Sequence, residues 1–327
     1  MKKILYTLLF ASLFIGCSSK KYFEPKYTEG EYNSEESFND SFIKSYNNEG
    51  ITLDNKFISK KELLTLDLKE GYSFINENDQ IILAVNNEAK LLIIDNKVQE
   101  ELQFDKNIIS ASIKGKLLAL GFVDNSIIIY DRETKQVLFK EYFASSIIND
   151  MRIANPIFMK SILLFPTLDG KVIILDTDKK TILRTINVDP KNKINNIIFL
   201  STLNDTLITA TPNKIFTFNN GIINVQEHDI KNILINKEDI FLSTIDGKII
   251  KYDHNLKLIE SKKFKYANFH ALGYGSSLYA LESQGYLIKL NNDLSETKIF
   301  QFPFDNSKKT VILKDKIYYE NKFSTLE

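Results

Sequence analysis

Tryptophan is absent from this chain of 327 residues, cysteine occurs once, and histidine and methionine occur three times each. A lone cysteine excludes an internal disulfide framework. The histidines, His228, His254 and His270, fall in different parts of the chain, and no two have metal-ligand spacing such as H-E-x-x-H. Charge of one sign is also missing: 42 Lys and Arg residues balance 42 Asp and Glu residues, and no basic run exceeds a residue pair. That balance removes the electrostatic case for nucleic acid, which requires a basic face. No G-x-S-x-G and no Cys-His arrangement occurs, so nucleophilic catalysis has no candidate. Gly273-Tyr274-Gly275 lacks the third glycine and the helix of a nucleotide loop, and Asp176-Thr177-Asp178 lacks the Gly and Glu that complete a calcium loop. No catalytic, cofactor-binding or metal-binding residue is therefore expected, and the chain reads as a non-enzyme.

What the chain does contain is a repeat. In Leu163–Thr185, two apolar runs flank Asp169-Gly170, and a third run around Ile182 follows the polar turn Asp176–Lys180. Asp-Gly between apolar runs signals a hairpin, because glycine accepts the positive φ of a tight turn. The pattern recurs at Leu117–Lys140, Ile81–Phe104 and Asp239–Lys262, the last with Asp246-Gly247, and more loosely at Thr206–Glu227 and Ser277–Phe300. Marker residues before the second run of each unit (Glu88, Asp124, Asp169, Asn213, Asp246, Gln284) are separated by 36, 45, 44, 33 and 38 residues. A period near 40 with about four short strands is the signature of a propeller blade.

Runs such as Leu91–Ile94, Ile127–Tyr130 and Val172–Leu175 are apolar at consecutive positions. Strands wet on one face alternate, whereas continuous runs are covered on both faces, as in a blade between two neighbours. A pair of β-sandwiches is the competing all-β reading. Two fragments remain, Ile51–Ser59 and Thr310–Phe323, and joining them into one blade would close a ring through both termini. The expectation is an all-β propeller over residues 50–327, with about seven four-stranded blades and a range of six to eight. An eighth blade has room between Leu63 and Asn78.

The N-terminus has the layout of an export signal over residues 1–16: Lys2-Lys3, an apolar stretch Ile4–Ile15, then Gly16-Cys17. Twelve apolar-biased residues are too short for a helix spanning about 30 Å of hydrocarbon. The segment resembles a bacterial lipoprotein signal, with Phe14 where Leu is usual, and the resemblance implies diacylglycerol attachment at Cys17. Without Lys2 and Lys3, 40 basic residues face 42 acidic ones, a net of −2. Ser18, rather than Asp, after the cysteine implies the outer membrane by the same resemblance. Residues 17–49 read as a polar, lipidated tether, in which Phe38, Phe42, Ile43 and Tyr46 have helical spacing.

The segments Ile127–Lys140 and Val172–Thr185 resemble the quinoprotein-type propeller repeat. Asp131, Thr134 and Lys135 in one, and Asp176, Lys180 and Thr181 in the other, occupy much of its apolar-run, Asp, polar-turn pattern; Asp95 and Asp253 keep the Asp in two more. A carboxylate there accepts backbone N–H bonds in the following turn, so Asp95, Asp131, Asp176 and Asp253, with the hairpin pairs at Asp169 and Asp246, read as turn formers. The turn glycine of the family is missing from both segments, and without Trp or a cysteine pair the family's pyrroloquinoline quinone site cannot be built in its usual way.

A lipid-anchored propeller also resembles the propeller lipoprotein of the outer-membrane β-barrel assembly machinery. That resemblance implies a scaffold facing the periplasm, whose loops bind a barrel-assembly subunit or other envelope protein and whose strand edges add to incoming strands. The loop Asn187–Asn192, with Pro190, is one candidate contact. Two other readings stay open: a ligand binder or enzyme using the central channel, and a surface-exposed adhesive lipoprotein. A fold alone does not choose among them.

Overall fold

The computed structural model describes residues 21–327 except 33–34, 38–41, 55, 61–67, 97, 147–149, 193–194 and 306. Cys17 and the export segment lie outside the described residues, as does Phe38.

Among the described residues the strands assemble into eight antiparallel sheets, seven with four strands and one with three. We number these blades I (45–59), II (73–103), III (108–142), IV (157–187), V (199–227), VI (230–263), VII (269–301) and VIII (310–325 with 35–37). Each is a meander in which neighbours in the sheet are neighbours in sequence, except where the chain closes on itself.

The apolar runs explain why the sheets stack around an axis. In blade II, Leu91 and Ile93 pack into a cluster shared with blade III, while Leu92 and Ile94 pack into one shared with blade I. In blade III, Ile128 faces blade II, whereas Ile127 and Ile129 face Leu163 and Phe165 of blade IV. A run apolar at every position is thus an alternation between two dry faces. Eight buried clusters each join one pair of adjacent blades, and the one between VIII and I, with Ile51, Ile58, Val311 and Tyr318, completes the circle. The fourth strands lie outside this core and are largely wet, as in Val98–Gln103 and Ile222–Glu227.

The expected seven blades become eight, within the stated range, because the two leftover fragments do not complete one another. Residues Gly50–Thr52 and Phe57–Ser59 are the second and third described strands of blade I, and Ser45–Tyr46 is its first. The C-terminal strands take their outer partner from Glu35–Ser37, with Glu36 opposite Phe323. Strands from both termini do close the ring, but through a segment read from the sequence as tether. The propeller therefore begins upstream of Gly50. The helical spacing noted around Ile43 and Tyr46 does not become a helix there: Ser45–Tyr46 is a strand, and Ile43 is buried between blades VIII and I. The sheet edge offered hydrogen bonds to Ser45–Tyr46 and a dry seam to Ile43. Ser73–Asn78, where an extra blade had room, is the inner strand of blade II.

Candidate functional site

The inner strands carry asparagines that sew neighbouring blades together around the axis. Asn76 donates to the Ala111 carbonyl (2.8 Å) and Ser112 Oγ (3.0 Å), and the Ile113 amide donates to Asn78 (3.0 Å). Asn155 accepts from the Ala111 amide at 3.1 Å and donates to the Ile75 carbonyl at 3.0 Å. Inner strands diverge from their neighbours in other blades, so side-chain amides reach backbone groups that no ladder satisfies.

Two linkers turn inward. Asn196 donates to the Asp150 and Arg152 carbonyls (3.0 and 2.8 Å), and the Arg152 guanidinium reaches the Lys231 carbonyl at 2.6 Å. Asn48 of blade I donates to the Ile198 carbonyl at 3.3 Å. Blades I and V stand on opposite sides of the eight-membered ring, so this bond crosses the axis. Beside the crossing lies a cavity of about 600 Å³, walled by inner strands of blades II to VI and by the first turn of blade I. Its polar groups include Asn76, Asn78 and Asn155, its apolar wall Phe158 and Ile233, and its charges Glu49, Asp79, Lys60 and Lys114. Among the described residues no group of three or more His, Cys, Asp or Glu is placed to hold a metal ion.

None of the aspartates singled out from the sequence lines this cavity. They lie at the two ends of the ring instead. Asp131 Oδ1 accepts the amides of Glu133 (3.0 Å) and Thr134 (3.1 Å), and Lys116 sits 3.1 Å from Oδ2; the Thr134 amide leads in holding this carboxyl below the usual range. Asp176 accepts the Asp178 and Lys179 amides, and Asp253 those of Asn255 and Lys257, all at 2.9 Å. Asp95 accepts from the Asn96 side chain at 3.1 Å. At the other end, Gly170 and Gly247 take φ of +75° and +81° in the hairpin turns. Asp169 pairs with Lys171 and accepts from Asn125 at 3.0 Å; Asp246 meets Lys263 at 2.8 Å and Lys248 at 3.3 Å.

The histidines are apart. His228 Nε2 is 2.7 Å from the Tyr252 hydroxyl, His270 Nε2 is 2.9 Å from the Thr310 carbonyl, and His254 contacts Asn255. Burial pushes the His228 and His270 imidazoles below their ordinary range. In the loop Asn187–Asn192, Asp189 is buried and bound to Lys214 at 2.8 Å and to Asn192 at 2.6 Å. Burial alone would raise that carboxyl; the ammonium and amide outweigh it.

A second feature went unread in the sequence. Residues 21–32 are docked on the ring. Phe23 is buried between blades VI and VII, edge-on to Phe264 and Tyr286. The Glu29 amide donates to the Ile299 carbonyl and the Tyr32 amide to the Gln301 carbonyl, both at 2.8 Å, while the Gln301 amide donates to the Gly30 carbonyl at 2.8 Å. An extended segment is thus paired in parallel with the outer strand of blade VII. Tyr32 then fills the seam to blade VIII, donating to the Thr325 carbonyl at 2.8 Å. The aromatics Tyr22, Phe23, Tyr27 and Tyr32, set in an otherwise polar stretch, were the available signal.

No protein-family model matches the chain. Two proteins named plasminogen-binding protein PgbB, from two strains of Helicobacter pylori, are each 26% identical over 92% of this chain. The chain spans 65% of the length of these curated relatives. Among solved structures, BamB from Moraxella catarrhalis superposes with a TM-score of 0.62 at 13% identity, covering 89% of this chain and 98% of that one. The computationally designed protein Ika8 gives 0.62 at 12% identity, over 90% and 98% of the two chains. At such identities the likeness is one of fold: the chain is a BamB-like β-propeller.

Proposed function

We propose that this propeller is a non-catalytic scaffold of the bacterial envelope, anchored to the outer membrane by lipid at Cys17, facing the periplasm, and assisting the assembly of outer-membrane β-barrel proteins through protein–protein contacts. The observation that carries this reading is the pairing of Gly30–Tyr32 with the outer strand of blade VII. It supports a ring whose outer edges accept an extended chain, which is the chemistry a handler of unassembled strands requires. Outer strands elsewhere carry exposed apolar residues, among them Ile222, Ile223, Leu258 and Ile259. The BamB-like shape and the resemblance of the N-terminus to lipoprotein signals point the same way.

Crosslinking in the native envelope followed by identification of bound proteins tests the partner. Recovery of a barrel-assembly subunit is the expected result; recovery of none, with the propeller itself crosslinked elsewhere, would overturn the assembly role. Replacing Cys17 with Ser should release a folded propeller from the membrane fraction, and its retention there would count against lipid attachment.

A second reading has its own observation. Relatives named for plasminogen binding align with 92% of this chain, which favours a surface-exposed adhesive lipoprotein. Protease accessibility on whole cells and plasminogen capture by the purified chain separate the two: both positive favours the adhesive, both negative the periplasmic scaffold.

A further inference from the structure

The docked arm converts a long tether into a short leash. Cys17 precedes Lys21 by four residues and Phe23 by six. An extended chain covers at most about 3.6 Å per residue, so Lys21 lies within about 15 Å of an acylated Cys17. Were the chain free up to Gly50, the reach would exceed about 100 Å. Phe23 removes that freedom, since its ring is buried in the seam between blades VI and VII.

The surface beside this seam suits a headgroup layer. Lys21 Nζ lies 5.6 Å from the Tyr266 ring centroid and Lys265 Nζ lies 5.0 Å from it on the same ring. Tyr22 and Tyr266 are 56% and 42% exposed. Lys263 and Lys248 close on Asp246 nearby, and Glu24 is exposed on the arm, leaving positive charge in excess. Tyrosines settle at the membrane–water boundary, and lysines beside it are drawn to anionic headgroups. The acyl chains of a diacylglycerol at Cys17 would supply the anchoring, and a polar contact of this kind sets which side of the ring meets the surface.

We propose that the patch formed by Lys21, Tyr22, Lys265 and Tyr266 rests on the phospholipid headgroups, so that the seam between blades VI and VII faces the bilayer. This orientation rests on acylation of Cys17. The patch lies at the end of the ring that carries the Asp246-Gly247 turn, since the Phe264 amide bonds the Gly247 carbonyl at 2.8 Å. The cavity, walled by Asp79 and Lys114 near the far ends of the inner strands, is then turned away from the membrane.

Because the chain has no tryptophan, a single introduced one is a unique reporter. Full-length acylated protein carrying Tyr266→Trp is bound to vesicles of phosphatidylethanolamine and phosphatidylglycerol with a nitroxide on the headgroup. Val137→Trp, exposed in the outer strand of blade III beside the Asp131 turn and so at the opposite end of the ring, is the comparison. Loss of emission from residue 266 and none from residue 137 is the expected result. Equal loss at both positions, or none at either, in protein that sediments with the vesicles would overturn the orientation while leaving anchoring intact. Protein that fails to sediment would overturn the anchoring reading, and the orientation with it. Adding Phe23→Ala to the first variant should restore emission without releasing the protein from the vesicles.

Discussion

At the scale of single residues, the backbone of the turns sorts substitutions that look alike in sequence. Gly247 and Gly221 both have positive φ, +81° and +87°. A Cβ on Gly247 would lie 2.5 Å from the Phe264 carbonyl oxygen, whereas one on Gly221 would meet nothing within 4 Å. Gly221→Ala should therefore cost about 1 kcal/mol, the price of a left-handed residue, and Gly247→Ala several times that because a backbone must move. Urea unfolding midpoints check this, and equal losses would contradict the contact. The converse holds at Lys135, a residue other than glycine that adopts φ of +57°. Lys135→Gly should raise stability by up to about 1 kcal/mol, measured in the same way, since its side chain is exposed and the left-handed backbone suits glycine.

Strands and blades set the next scale. The third strands are buried on both faces and the fourth are wet, although both read as apolar in the sequence: Ile215 is fully buried, while Ile222 is 65% exposed. The difference follows from position in the meander. The N-terminal arm behaves as an added edge strand, held by three backbone bonds to the outer strand of blade VII and by the Phe23 ring. Removing a buried Phe side chain costs about 3–5 kcal/mol where the whole fold depends on it. Here the loss should be local: Phe23→Ala is expected to free the amides of Glu29 and Tyr32 to exchange with deuterium while the inner strands stay protected. Uniform loss of protection would mean that the arm nucleates the ring.

For the molecule as a whole, closure decides stability. Blade VIII takes Glu35–Ser37 as its outer strand, and Tyr32 donates to the Thr325 carbonyl across the same seam. Deleting residues 21–37 should lower the midpoint of thermal unfolding and broaden the transition, because blade VIII then loses a strand and stacked modules depend on their neighbours. An unchanged, sharp transition would show that the ring closes through side chains alone. The blade unit, its period and the two-sided burial of the third strands were all legible in the sequence, since each arises within about 40 consecutive residues from hydrogen bonds and hydrophobic periodicity. Local information could not show that Ile51–Ser59 and Thr310–Phe323 belong to different blades, that Glu35–Ser37 is a strand, or that Asn48 reaches Ile198 across the axis. A short polar segment has no intrinsic preference strong enough to declare itself. Its conformation is chosen by the free edge it meets, and that edge exists only after hundreds of residues have closed into a ring.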